Sequence, residues 1–169
     1  MIDDNSTAPT DAGDREPPTA EQLGFDLVIR RLRLVHIRAM VHSIATLLHE
    51  TFDVEPDEAD WGYCCDVACD LLNRSIGVLH PLSVELSDAG VVPVRDPVRI
   101  ARAVEATRQQ LFRAHAVLQA VTNLMRTHKF AENEADLGVV MQMIVENLDE
   151  QICLLEPVNL RLPIPLPLP

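Results

Sequence analysis

Lysine is nearly absent from this chain: one residue, Lys129, stands beside thirteen arginines. That bias is the codon signature of a GC-rich genome, and a bacterial origin is expected. Basic charge as a whole is scarce. Fourteen basic residues face 26 acidic ones, for a net charge of −12. A duplex-binding surface needs several cations to neutralise phosphates, so neither nucleic acid nor an anionic membrane is an expected partner. Long apolar runs are missing too. No stretch reaches the roughly 18 apolar residues of a bilayer-spanning helix. The first 22 residues are acidic and polar, with no basic n-region and no apolar h-region, so no export leader is expected and the cytoplasm is the expected compartment. In that setting the four cysteines read as reduced thiols.

The motifs that announce chemistry are absent as well. The six glycines are scattered singly, which excludes a glycine-rich phosphate loop. No GxSxG, HExxH or CxxC occurs. A carboxylate-bridged di-iron bundle needs an acidic residue three positions before a histidine. The residues at that spacing are Arg33, Ala39, Thr46, Gly77, Phe112 and Met125, none of them acidic. No cofactor is implied, and no catalytic role is expected.

What is present is helical periodicity. Met1 to about Pro18 is acidic and proline-rich and reads as a disordered tail. Residues 19–156 read as one helical domain. Helix 1 is predicted from about Thr19 to Phe52, with Leu27, Leu34, Val41 and Leu48 every seven residues and Arg30, Ile37 and Ile44 in the second heptad row. Val28, Leu32 and Val35 widen its apolar face beyond one seam, which predicts two neighbours. Helix 2 is predicted from about Pro56 to His80, along Trp61, Cys65, Ala68, Leu72, Ile76 and Leu79, with Pro81 as its stop. Helix 3 opens on Asp96-Pro97, an N-cap followed by a first-turn proline. It carries Val104, Leu111, Leu118 and Met125 every seven residues and ends near His128. Helix 4 is predicted from about Asn133 to Glu156, ended by Pro157.

Short connections make antiparallel neighbours, so the expected fold is all-α, a four-helix up-down-up-down bundle with two longer helices, 1 and 3. Their excess of about eight residues is about 12 Å at 1.5 Å per residue. That overhang would expose Leu23, Phe25, Leu27, Val98 and Ile100. The 81–96 connection and the 157–169 tail leave from the same end. In the tail Pro163, Pro165, Pro167 and Pro169 alternate with Ile164, Leu166 and Leu168. This reads as an extended strap, Pro163 to Leu168 packing on the overhang or on a partner chain.

Cys64, Cys65 and Cys69 are the best candidates for chemistry. Cys65 and Cys69 stand one turn apart on helix 2, a spacing that could offer two thiolates to one metal. His42 and His115 fall within about 6 Å of them along the bundle axis. The competing reading is plain packing. Free cysteine behaves as a small hydrophobe, and Cys65 shares a row with Trp61, Ala68 and Leu72. Arg30, Arg31, Arg33 and Arg38 read as a face salt-bridged to Glu146, Asp149, Glu150 and Glu156 of helix 4. Glu50, Asp53, Glu55, Asp57, Glu58 and Asp60 read as a solvated turn. The function expected from these features is protein–protein contact, as an adaptor, regulator or chaperone-like protein and most simply as a homodimer. The alternative is a thiol- or metal-dependent bundle using Cys64, Cys65 and Cys69.

Overall fold

The computed structural model describes residues 19–51, 56–90, 96–127 and 135–161. They form four long helices: α1 (Ala20–Thr51), α2 (Pro56–Ser87), α3 (Pro97–Thr127) and α4 (Ala135–Arg161). A single 3-10 turn, Asp88–Gly90, follows α2, and no strand occurs among the described residues.

The cap expected at Asp96 is in place, and α1 has a cap of its own. Thr19 and Gln22 exchange hydrogen bonds across the first turn of α1: the Thr19 amide donates to Gln22 Oε1 at 2.8 Å and the Gln22 amide to Thr19 Oγ1 at 3.2 Å. Asp96 Oδ1 accepts from the Arg99 amide at 2.8 Å, and Pro97 takes the first helical position.

Each helix packs on its neighbours in the chain, and α4 closes the ring on α1. No residue pair on diagonal helices brings its Cα atoms within 8 Å among the described residues. Contacts between side chains fix the register. Arg38 meets Asn73 and Arg31 meets His80, so α1 and α2 run antiparallel. Ser75 meets Gln110 and Glu85 meets Arg99, which sets α3 against α2. Arg108 meets Glu156, which sets α4 against α3. This is the up-down-up-down bundle that the heptads require. Its core is the set of inward rows, among them Leu27, Leu34, Val41 and Leu48 with Leu111, Leu118, Met141 and Leu148.

Two proline stops do not hold. α2 passes through Pro81 to Ser87, and α4 passes Pro157 to Arg161. A proline removes the donor owed to the carbonyl four residues back, at a cost of about 3 kcal/mol. Here those carbonyls belong to Gly77 and Cys153, both on exposed faces where water can replace the lost bond. Beyond Pro81 the helix still buries Leu82 and Leu86. At about 1.5–3 kcal/mol for each buried leucine, the gain matches or exceeds the cost.

The lengths change accordingly. α1 and α2 each have 32 residues, α3 has 31 and α4 has 27, so helix 2 is not short and the overhang is absent. The extended α2 covers the start of α1. Leu23, Leu27 and Ile100 are buried, and only Phe25 of the five stays widely exposed. Gly24 is pressed against this extension: a Cβ there would lie 2.5 Å from the Ser87 amide nitrogen.

Candidate functional site

The cysteine group is part of the core. Cys65 is fully buried and Cys69 nearly so, while Cys64 is half-buried and Cys153 exposed, and all four are free thiols. Cys69 Sγ donates weakly to the Arg38 carbonyl of α1 at 3.8 Å. Burial pushes the Cys65 thiol up to about 12, and the neighbouring Cys69 and Cys64 sulfurs push the same way. Burial, with Asp66 adding to it, raises Cys69 to about 11. A thiolate is the form that binds metal or attacks, and both environments hold the proton on. His42 is exposed on α1 and His115 is half-exposed on α3. Among the described residues no three histidine, cysteine or acidic side chains are placed to share a metal ion.

The arginines pair differently from the salt-bridged face expected. Arg31 hydrogen-bonds His80 Nδ1 and Arg38 donates to Asn73 Oδ1 at 3.2 Å, both along the α1–α2 seam. Glu156 of α4 meets Arg108 instead, at 3.5 Å. The tail residues Pro163, Ile164, Pro165, Leu166, Pro167 and Leu168 lie outside the described residues, as does the N-terminal segment 1–18.

One polar cluster was not legible from spacing. The His49 ring lies against Gly62, meets Tyr63 edge-on at 5.0 Å, and bonds Asp66 Oδ2 at 3.0 Å. These residues are far apart in sequence and meet only through the antiparallel register. Asp66 can orient the imidazole, but no serine, threonine or cysteine side chain among the described residues hydrogen-bonds that ring. Gln151 was also missed. It sits in the core row of α4 with Ile144, is 2% exposed, and its Oε1 has no hydrogen-bond partner among the described residues.

Exposed apolar side chains occur on all four helices, Tyr63, Val67 and Val78 of α2 and Val139 of α4 among them, and on α1 they fall in one row along the outer face. A helix in a ring of four ordinarily turns a polar face to water. Here Phe25 is 63% exposed, Leu32 49%, Met40 40% and Leu47 47%. Ile29 is half-buried between them, and His36 and Ser43 complete the row. The spacing 25, 29, 32, 36, 40, 43, 47 is that of one continuous face of a straight helix, opposite the Leu27–Leu48 core row. The two hydroxyls on this side bond back to their own helix. Ser43 Oγ donates to the Ala39 carbonyl and Thr46 Oγ1 to the His42 carbonyl, each at 3.0 Å. That lowers the polarity the face offers to water.

The stripe continues onto both neighbours. At its start α2 adds exposed Val84. At its far end α4 adds Val140 and Met143. Gly138 and Glu156 mark the flank of α4 turned toward α3, and Val140 and Met143 fall on the opposite flank, toward Leu47. The result is an oblique apolar band about 33 Å long on α1 alone. No family model, no curated protein and no solved structure matches this chain.

Proposed function

We propose that this bundle acts through protein–protein contact, as an adaptor, regulator or chaperone-like protein, and that the outer face of α1 is its contact surface. The observation that carries this reading is the oblique band of Phe25, Leu32, Met40 and Leu47, exposed together on one helix. Single exposed hydrophobes are ordinary on a protein surface, but a contiguous band is the usual mark of an interaction site. The thiol- and metal-dependent alternative draws no comparable support, because Cys65 and Cys69 are dry and protonated and His42 faces solvent.

A photo-crosslinking residue at Leu32, compared in cells with one at Arg102 on the outer side of α3, tests this. A discrete covalent adduct with a protein chain is expected at Leu32 and none at Arg102. Equal labelling of both positions, or no protein adduct at either, would contradict the contact reading.

A further inference from the structure

We infer that the partner seated on the α1 band is a second copy of this chain, packed antiparallel about a two-fold axis near His36. The inference rests on the contact reading above and names its occupant. Two features argue for it.

The first is the symmetry of the band. A two-fold interface must be self-complementary: if one residue meets another, the reverse contact follows. Rotation about His36 carries Phe25 onto Leu47, Ile29 onto Ser43 and Leu32 onto Met40, since each pair is equally spaced from position 36. Each apolar end of the α1 row therefore meets the apolar opposite end of its copy, and His36 meets His36. Val84 flanks the Phe25 end, and Val140 and Met143 flank the Leu47 end. An axis across α1 keeps the α2 flank of one copy on the α2 flank of the other and the α4 flank on the α4 flank, so the neighbours add to the rim of the band and do not meet each other.

The second is charge. The first half of the band is bordered by Arg31 and Arg33 of α1, with Glu21 and half-buried Asp26 in the same half. The register of contacts around the ring sets Glu150 of α4 and Asp70 of α2 level with about Met40, so the second half has acid at both edges beside the seam residue Arg38. Arg33, Glu150 and Asp70 are all exposed. Antiparallel pairing brings Arg33 of one copy to the level of Glu150 of the other, and Arg31 to that of Asp70. Parallel pairing sets the Arg31 and Arg33 edges of the two copies together, which costs free energy at an interface.

The experiment is the oligomeric state of the full chain by light scattering and native mass spectrometry, for the wild type and five variants. The wild type is expected to be a dimer at micromolar concentration. Leu32→Glu and Met40→Glu each place a charge in the buried band and are expected to weaken association about 30-fold or more. Both side chains are exposed in the single chain, so melting of the separated subunits stays unchanged. Arg33→Glu and Glu150→Arg are each expected to weaken the dimer, and the double variant to restore it.

Orientation is read separately, in a Cys153→Ser background that removes the exposed native thiol. His36→Cys is expected to form a disulfide-linked dimer under mild oxidation, and Phe25→Cys is not. Efficient self-linking of Phe25→Cys would overturn the antiparallel arrangement. A wild type that stays monomeric, or a dimer indifferent to both Leu32→Glu and Met40→Glu, would overturn the second copy. If the Leu32 crosslink then leads to a different protein, the contact reading survives without the dimer. If it leads to no protein, both fall.

Discussion

α1 and α3 are nearly equal in length and carry the same kind of inward heptad, yet their outer faces differ. The exposed side of α3 is Arg102, Gln109, Arg113 and Asn123 with small alanines at 106, 116 and 120 and a single leucine, Leu124. Its exposed Phe112 lies under the Arg108 guanidinium, 5.6 Å from the ring centroid, so part of that apolar surface already has a partner. The outer side of α1 offers Phe25, Leu32, Met40 and Leu47, each 40% exposed or more. Core rows explain why both are helices and why both belong to one bundle. Only the outer rows separate the two helices.

The sharpest way to break that contrast is to cut the inward row of one helix and the outward row of the other. Leu111→Ala empties a fully buried site on α3 and is expected to cost about 2–5 kcal/mol in urea unfolding at fixed protein concentration. Leu32→Ala removes a similar volume from the α1 band, and the stability of the separated subunit is expected to move by less than about 0.5 kcal/mol. If the two losses are alike, Leu32 is packed in the single chain and the contrast fails.

A smaller effect is expected where α1 meets the extension of α2. Gly24→Ala would push a methyl group to 2.5 Å from the Ser87 amide nitrogen and 2.9 Å from the Leu86 carbonyl carbon, both backbone atoms. The helices must separate there, at about 1–3 kcal/mol by thermal or urea unfolding. Gly77→Ala on the open side of the same helix pair meets nothing within 4 Å. It is expected to gain up to about 1 kcal/mol, because alanine is the better helix former.

Alkaline pH probes the inner seam alone. The Cys65 thiol is raised from 9.0 to about 12 by burial, so the folded state keeps a proton that the unfolded chain releases. That contribution is complete below pH 9.0 and is lost as pH rises toward about 12. The melting temperature of the wild type should therefore fall more steeply across this window than that of Cys65→Ala. Identical slopes would mean that the thiol ionises freely in the fold.

Much of this architecture was legible in the amino-acid order. The heptads of helices 1 and 3, the cap at Asp96 and the burial of Cys65 all follow from local periodicity and residue chemistry. The ends of helices 2 and 4 were not legible, because a proline reads as a stop until one knows which face it occupies. Gly77 and Cys153, four residues before the prolines, lie on water-facing sides, and burial beyond Pro81 carries α2 onward. From that missed extension came the overhang that helix 1 does not have. The outer apolar row of α1 was half legible: Leu32 stood out as a widening of helix 1, but Phe25, Met40 and Leu47 join it only once the inward row is known. The His49, Tyr63 and Asp66 cluster needed the register between two helices, which spacing along one chain does not hold.

The central claim is that this bundle meets another copy of itself and needs no bound group to do so. Native mass spectrometry of the untagged chain tests both parts in one spectrum. The expected result is a species of twice the 18.8 kDa chain mass with nothing added. A single chain carrying the extra mass of a metal ion or an organic molecule would contradict it, and would turn attention from the α1 band to the bundle interior around Cys65 and Cys69.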